Sequence, residues 1–126
     1  MRILTFLGLT MALIISMGFW SNHSLQESTR ELSRQIEQVS HAIEEGEWEN
    51  AREQTGNLEK IWLQKARWWP VFLDHQEMDN INFSLAKFKE YVASQNEALS
   101  KGQLSELKLM IEHIPQKEEL NLKNIL

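Results

Sequence analysis

Residues Ile3 to Trp20 form an unbroken apolar run, ILTFLGLTMALIISMGFW, with no charge and no proline, preceded by Met1 and Arg2. A helix of this stretch rises 1.5 Å per residue and reaches roughly 27 Å, close to a hydrocarbon core of about 30 Å. The remaining residues are a mixture of polar, charged and apolar types of water-soluble character. The run therefore divides the chain into a leader, residues 1–22, and a water-compatible domain, residues 23–126.

Two readings fit the leader. Ser16 and Gly18 have the small-residue spacing of a signal-peptidase site, which predicts a secreted domain after cleavage. Against that, the apolar run continues through Phe19 and ends on Trp20, a residue that prefers the membrane–water interface. The anchor is the favoured reading. A leading apolar run behind Arg2 leaves its N-terminus in the cytoplasm, so the expectation is a single-pass plasma-membrane protein with an extracytoplasmic C-terminal domain.

Charge and cysteine content narrow the function. Beyond Trp20 the chain holds 12 basic and 18 acidic residues, so this part is net acidic. Such a domain repels phosphate backbones, and nucleic-acid binding is not expected. There is no cysteine, which removes disulfides, thiol catalysis and thiolate metal sites. About a hundred residues suffice for one core and no second domain.

The apolar residues of this domain recur at helical spacing. Leu25, Thr29, Leu32, Ile36, Val39 and Ile43 form one stripe, broken at Gly46. Trp48, Ala51, Thr55, Leu58, Trp62, Ala66 and Trp69 form the next, ended by Pro70. A third runs Met78, Ile81, Leu85, Phe88, Val92 and Leu99 to Gly102, and a fourth Leu104, Leu107, Ile111 and Ile114 to Pro115. Stripes of this kind mark helix faces that pack on one another, and Gly and Pro mark their ends. The predicted fold is all-α: a transmembrane or signal helix followed by two stacked antiparallel helical hairpins, bundle-like. The pattern Ala42-x3-Gly46-x-Trp48-x2-Ala51 recurs as Ala98-x3-Gly102-x-Leu104-x2-Leu107. That suggests a repeat offset by 56 residues, with Gly46 and Gly102 at equivalent turns. The turn resembles that of a tetratricopeptide repeat, but the period is not the 34 residues of that family.

Candidate sites are few. If the first helix rises from the membrane and the second returns, then Trp68, Trp69 and Phe72 come back to the bilayer surface near Trp20. These four are the membrane-interface candidates, the alternative for the returning residues being closure of the core. His75 and Asp79, four apart, share a helix face with Glu77 nearby. They are weak metal candidates, since a structural site needs four ligands. Further ligands would have to come from His113, Glu112, His23 or His41. The alternative is Asp74 capping a helix. Glu44, Glu45, Glu47, Glu49 and Glu53 form an acidic tip. No nucleophile elbow, phosphate loop, dinucleotide fingerprint or Glu-x-x-His motif occurs. The chain is expected to be no enzyme, with no catalytic residue and no cofactor. The final Gln116 to Leu126 segment carries Leu120, Leu122, Ile125 and Leu126, either as core or as a docking strip.

Several stretches together resemble a known family: A-I-E-E-G-E-W-E-N-A, then V-F-L-D-H-Q-E-M-D-N-I, S-L-A-K-F-K-E-Y-V, L-S-E-L-K-L-M-I-E-H-I-P and N-L-K-N-I-L. The chain is similar over nearly its whole length to domain-of-unknown-function family 4363, short membrane-anchored proteins of spore-forming Gram-positive bacteria. The resemblance implies a helical extracytoplasmic domain and supplies no activity, cofactor or catalytic residue.

The functional expectation is an interaction module anchored on the outer face of the plasma membrane. Its partners are the lipid bilayer and another membrane or envelope protein, and its heptad stripes also allow a homo-oligomer. The rival is a metal sensor or metal-dependent enzyme built on His75, Glu77 and Asp79.

Overall fold

The computed structural model describes the backbone of residues 1–71 and 73–125, and side chains of 1–20, 23–70 and 73–114. Phe72 and the side chains of the C-terminal segment lie outside the described residues. The described chain is helical: α1 (Arg2–Glu44), α2 (Trp48–Ala66), α3 (His75–Ala93) and α4 (Glu97–Ile125), with a short 3-10 turn Trp69–Val71 between α2 and α3. Each helix follows its neighbour up and down. α1 packs extensively on α2 and α4, α3 on α4, and α2 less extensively on α3. This is the expected pair of stacked antiparallel hairpins.

α1 is the element that joins the two parts of the chain. It runs 43 residues without a break, roughly 65 Å at helical rise. Its first half is exposed on all sides, from Ile3 at 76% to Trp20 at 72%. Its second half is the first wall of the core, with Leu25, Leu32, Ile36, Val39, Ala42 and Ile43 buried. Around them close Leu58 and Trp62 of α2, Ile81, Leu85 and Phe88 of α3, and Leu104, Leu107 and Ile111 of α4. Burial of such side chains contributes about 1.5–3 kcal/mol each. The four stripes of the sequence are these four faces.

The two hairpin turns are built alike. After α1, Gly46 adopts φ 73°. Its N–H donates to Ile43 O (3.1 Å), and Glu47 N–H donates to Ala42 O (3.0 Å). After α3, Gln95 adopts φ 55°. Its N–H donates to Val92 O (3.0 Å), and Asn96 N–H donates to Tyr91 O (3.1 Å). Both are Schellman closures, in which a left-handed residue lets the chain satisfy the last carbonyls of a helix.

This corrects several expectations. The third helix ends at Ala93, so Leu99 belongs to α4 and is half exposed. Gly102 lies inside α4, where a Cβ would meet nothing within 4 Å. Gln95 ends the helix instead, because the Schellman hydrogen bonds offset the strain of a side chain at positive φ. The repeat is therefore offset by 49 residues, with Gly46 opposite Gln95 and not Gly102. At that offset buried Leu32 matches Ile81, Ile36 matches Leu85, Val39 matches Phe88, Ile43 matches Val92, Leu58 matches Leu107 and Trp62 matches Ile111. Finally, α4 carries through Pro115 and does not stop there; proline removes one helical donor and bends a helix more readily than it ends one when neighbouring turns are held. Similarly α2 ends at Ala66, before Trp69 and Pro70, which form the 3-10 turn.

Candidate functional site

The end of the bundle nearest the exposed apolar helix is where the sequence placed its candidates. Here α2 stops, and the chain turns through Trp69–Val71 into α3. Adjacent tryptophans then meet opposite environments. Trp69 is 3% exposed and sets its ring edge-on to Trp62, with centroids 5.4 Å apart and planes at 78°, a favoured aromatic geometry. Trp62 is buried too, and its Nε1–H donates to Asn82 Oδ1 at 2.7 Å. Trp69 thus closes the core. Trp68 points away from it and is 73% exposed. It flanks a cleft of about 290 Å³ formed with Ser24, Leu25 and Ser28 of α1 and Gln64 and Lys65 of α2. Lys65 also pairs with Glu31 (2.9 Å).

Asp74 is the N-cap of α3: its Oδ1 accepts the Glu77 backbone N–H at 2.8 Å, satisfying a free helix-terminal donor. His75 and Asp79 are exposed on that first turn and a half. Glu77 instead lines a small groove of about 180 Å³ between α3 and α4 with Ile81, Met110 and His113. Among the described residues no three His, Asp or Glu side chains converge in a geometry that could hold a metal ion. His41 lies at the opposite end of α1, beside Glu45. Glu112 lines a different groove, with Arg30, Arg34, Glu37 and Lys108.

That groove is the charged seam of the molecule. Lys108 of α4 donates to Glu37 Oε1 of α1 at 2.7 Å. This hydrogen bond, with the attraction of the same carboxylate and a lesser one from Glu112, raises the Lys108 pKa above its ordinary value despite slight desolvation. Lys89 pairs with Glu59 across α3 and α2 (2.7 Å). These pairs are exposed, and each contributes at most about 1 kcal/mol; they set register between helices more than they set stability.

Sequence reasoning missed the polar ties within each hairpin. Gln35 donates its amide to the backbone oxygen and the side-chain Oε1 of Gln54, both at 2.9 Å. Gln103 donates to Ser84 Oγ at 2.6 Å. The pairs occupy equivalent places: Gln35 with Ser84 and Gln54 with Gln103, each 49 apart, and both pairs are separated by 19 residues. That shared spacing was the available signal, hidden because Ser84 and Gln35 sit on apolar faces.

No curated protein and no solved structure matches the chain. The family described as Domain of unknown function (DUF4363) matches residues 19–125, beginning at the end of the apolar run and covering the entire bundle. On that match, the chain belongs to the DUF4363 family.

Proposed function

We propose that this protein is a non-enzymatic interaction module, held on the outer face of the plasma membrane by α1 and presenting its bundle to another membrane or envelope protein. The observation that carries the reading is the continuity of α1. Among the described residues it is the one helix long and apolar enough to cross a membrane, and it passes without a break into the core. An apolar face left open along the whole of Ile3–Trp20 needs a nonaqueous surrounding, and a bundle mounted on such a helix is held at a fixed height and orientation. The grooves between helices are shallow and open, which suits contact with a macromolecule better than enclosure of a small substrate.

Because the chain has no cysteine, a single one reports topology cleanly. With Glu53→Cys at the far end of the bundle, a membrane-impermeant maleimide labels intact cells under this reading; labelling only after lysis overturns the outer-face orientation. Crosslinking in the membrane at native expression then yields a discrete heavier adduct, and recovery of free monomer alone overturns the interaction reading.

A further inference from the structure

We propose that the end of the bundle carrying Trp68 rests on the bilayer, with the Trp68 indole in the headgroup layer and the Ser24–Ser28 cleft facing lipid headgroups. This rests on the reading of α1 as a membrane anchor and adds a second point of contact to it.

Three observations meet here. The first is distance. Trp68 borders the cleft beside Ser24 and Ser28, and these lie four and eight residues beyond Trp20 on the same unbroken helix. At helical rise that is roughly 6 and 12 Å. The headgroup layer extends about 5–8 Å beyond the hydrocarbon on each side. A run of roughly 27 Å in a core of about 30 Å draws the following turn inward rather than pushing it out. The Ser24 edge of the cleft is therefore at headgroup height and the Ser28 edge just beyond it whenever Ile3–Trp20 spans, which brings Trp68 within reach of the headgroups.

The second is exposure. Trp68 is 73% exposed directly beside a tryptophan that is 3% exposed. The core has a use for the Trp69 ring and none for the Trp68 ring. A large amphipathic ring with an N–H donor is the side chain that partitions to the headgroup layer. The third is the polarity of the cleft. Ser24, Ser28 and Gln64 are polar, and the Lys65 ammonium, paired with Glu31, lies at the same level. Arg67 is exposed next to Trp68. The crowded acidic residues, Glu44, Glu45, Glu47 and Glu49, are at the other end. Asp74, Glu77 and Asp79 at the start of α3 share the Trp68 end, so Lys65 and Arg67 offset local acidic charge there, and the contact rests on the indole and the polar cleft.

The test uses the full chain in phosphatidylcholine vesicles containing a phosphatidylcholine spin-labelled on its headgroup. Arg67→Cys leaves Trp68 in place and carries a fluorophore; Glu53→Cys serves for the far end and Phe19→Cys for the span. The expected result is quenching at Arg67 at least threefold stronger than at Glu53, falling toward the Glu53 level when Trp68→Ala is added, with an unchanged far-ultraviolet circular-dichroism spectrum. Quenching at Arg67 no stronger than at Glu53 overturns the proposal. So does strong quenching that Trp68→Ala leaves untouched, because the indole then makes no contact. Flotation of the Phe19-labelled chain with the vesicles separates the two readings. A chain that floats but shows no quenching at Arg67 is anchored with its bundle held clear of the lipid, whereas a chain that does not float removes the anchor and this contact together.

Discussion

The first hairpin, α1 with α2, and the second, α3 with α4, reach the same backbone by different means. Both turns close through the same two Schellman hydrogen bonds, at 3.0–3.1 Å. The first uses Gly46, for which φ 73° carries no side-chain strain. The second uses Gln95 at φ 55°, a conformation costing an L side chain about 1–2 kcal/mol. The second hairpin recovers part of that cost one residue later. Asn96 Oδ1 accepts the Leu99 N–H at 3.0 Å and caps α4, whereas Glu47 at the equivalent place makes no side-chain cap to α2. The hairpins differ again inside the core. Ala51 is matched by Ser100, which is fully buried and whose Oγ has no hydrogen-bond partner among the described residues. Turn geometry here is thus a property of the hydrogen-bond pattern and of the helices that must meet. Glycine is one way to accommodate it.

The largest expected effect probes what the hairpins share. Trp62→Ala removes a buried ring, its contact with Trp69 and its bond to Asn82, and leaves a cavity; about 3–5 kcal/mol of stability is lost. Urea unfolding of the detergent-solubilised chain, followed by circular dichroism, measures it. A loss below 1 kcal/mol would mean that the two hairpins do not share one core.

Gly46→Ala comes next. A Cβ there meets nothing within 4 Å, so the cost is conformational alone, about 1–2 kcal/mol. If the same unfolding experiment finds no change, the glycine is not needed for this turn and the contrast with Gln95 disappears.

The caps give a paired measurement. Asn96→Ala destabilises by about 1 kcal/mol, while Glu47→Ala, with no cap to lose, changes stability little. Equal effects in the two variants break the comparison. Ser100→Ala acts in the opposite direction: it removes an unsatisfied buried hydroxyl and raises stability by up to about 1 kcal/mol. A decrease on this substitution would show that the hydroxyl has a role in the native state.

The smallest effect lies at the seam between hairpins. Lys108→Met costs under about 1 kcal/mol, because the pair with Glu37 is exposed and screened. Its sign with pH is fixed. A lysine whose folded pKa is raised contributes its stabilisation fully below the unfolded value, near 10.4, and loses it as pH rises through the higher folded value. The wild-type and Lys108→Met stabilities therefore differ at pH 8 and converge in strongly alkaline solution. A difference that grows with alkaline pH contradicts the assignment.

Much of this architecture was legible before folding. The uncharged stretch Ile3–Trp20, the four apolar stripes, the break at Gly46 and the Asp74 cap each follow from residue type and spacing, since helical period and capping chemistry are local. The second turn was not legible, because a left-handed glutamine leaves no signature in the sequence while Gly102, a residue that commonly ends helices, stands nearby. The repeat was accordingly read one heptad out of step: offsets of 49 and 56 preserve the same heptad phase, and apolar pattern alone cannot separate them.

What the sequence by itself determined is which faces are apolar, how long each can be, and that one segment is long and apolar enough to cross a membrane. Which of two adjacent tryptophans enters the core was decided by tertiary structure: α2 stops at Ala66, and the turn that follows aims Trp69 at Trp62 and leaves Trp68 outside. Tertiary structure likewise set His75 and Asp79 on the surface and turned Glu77 to the groove with His113. Spacing along a chain fixes angles around one helix axis, but convergence of side chains from different helices depends on how those axes are packed.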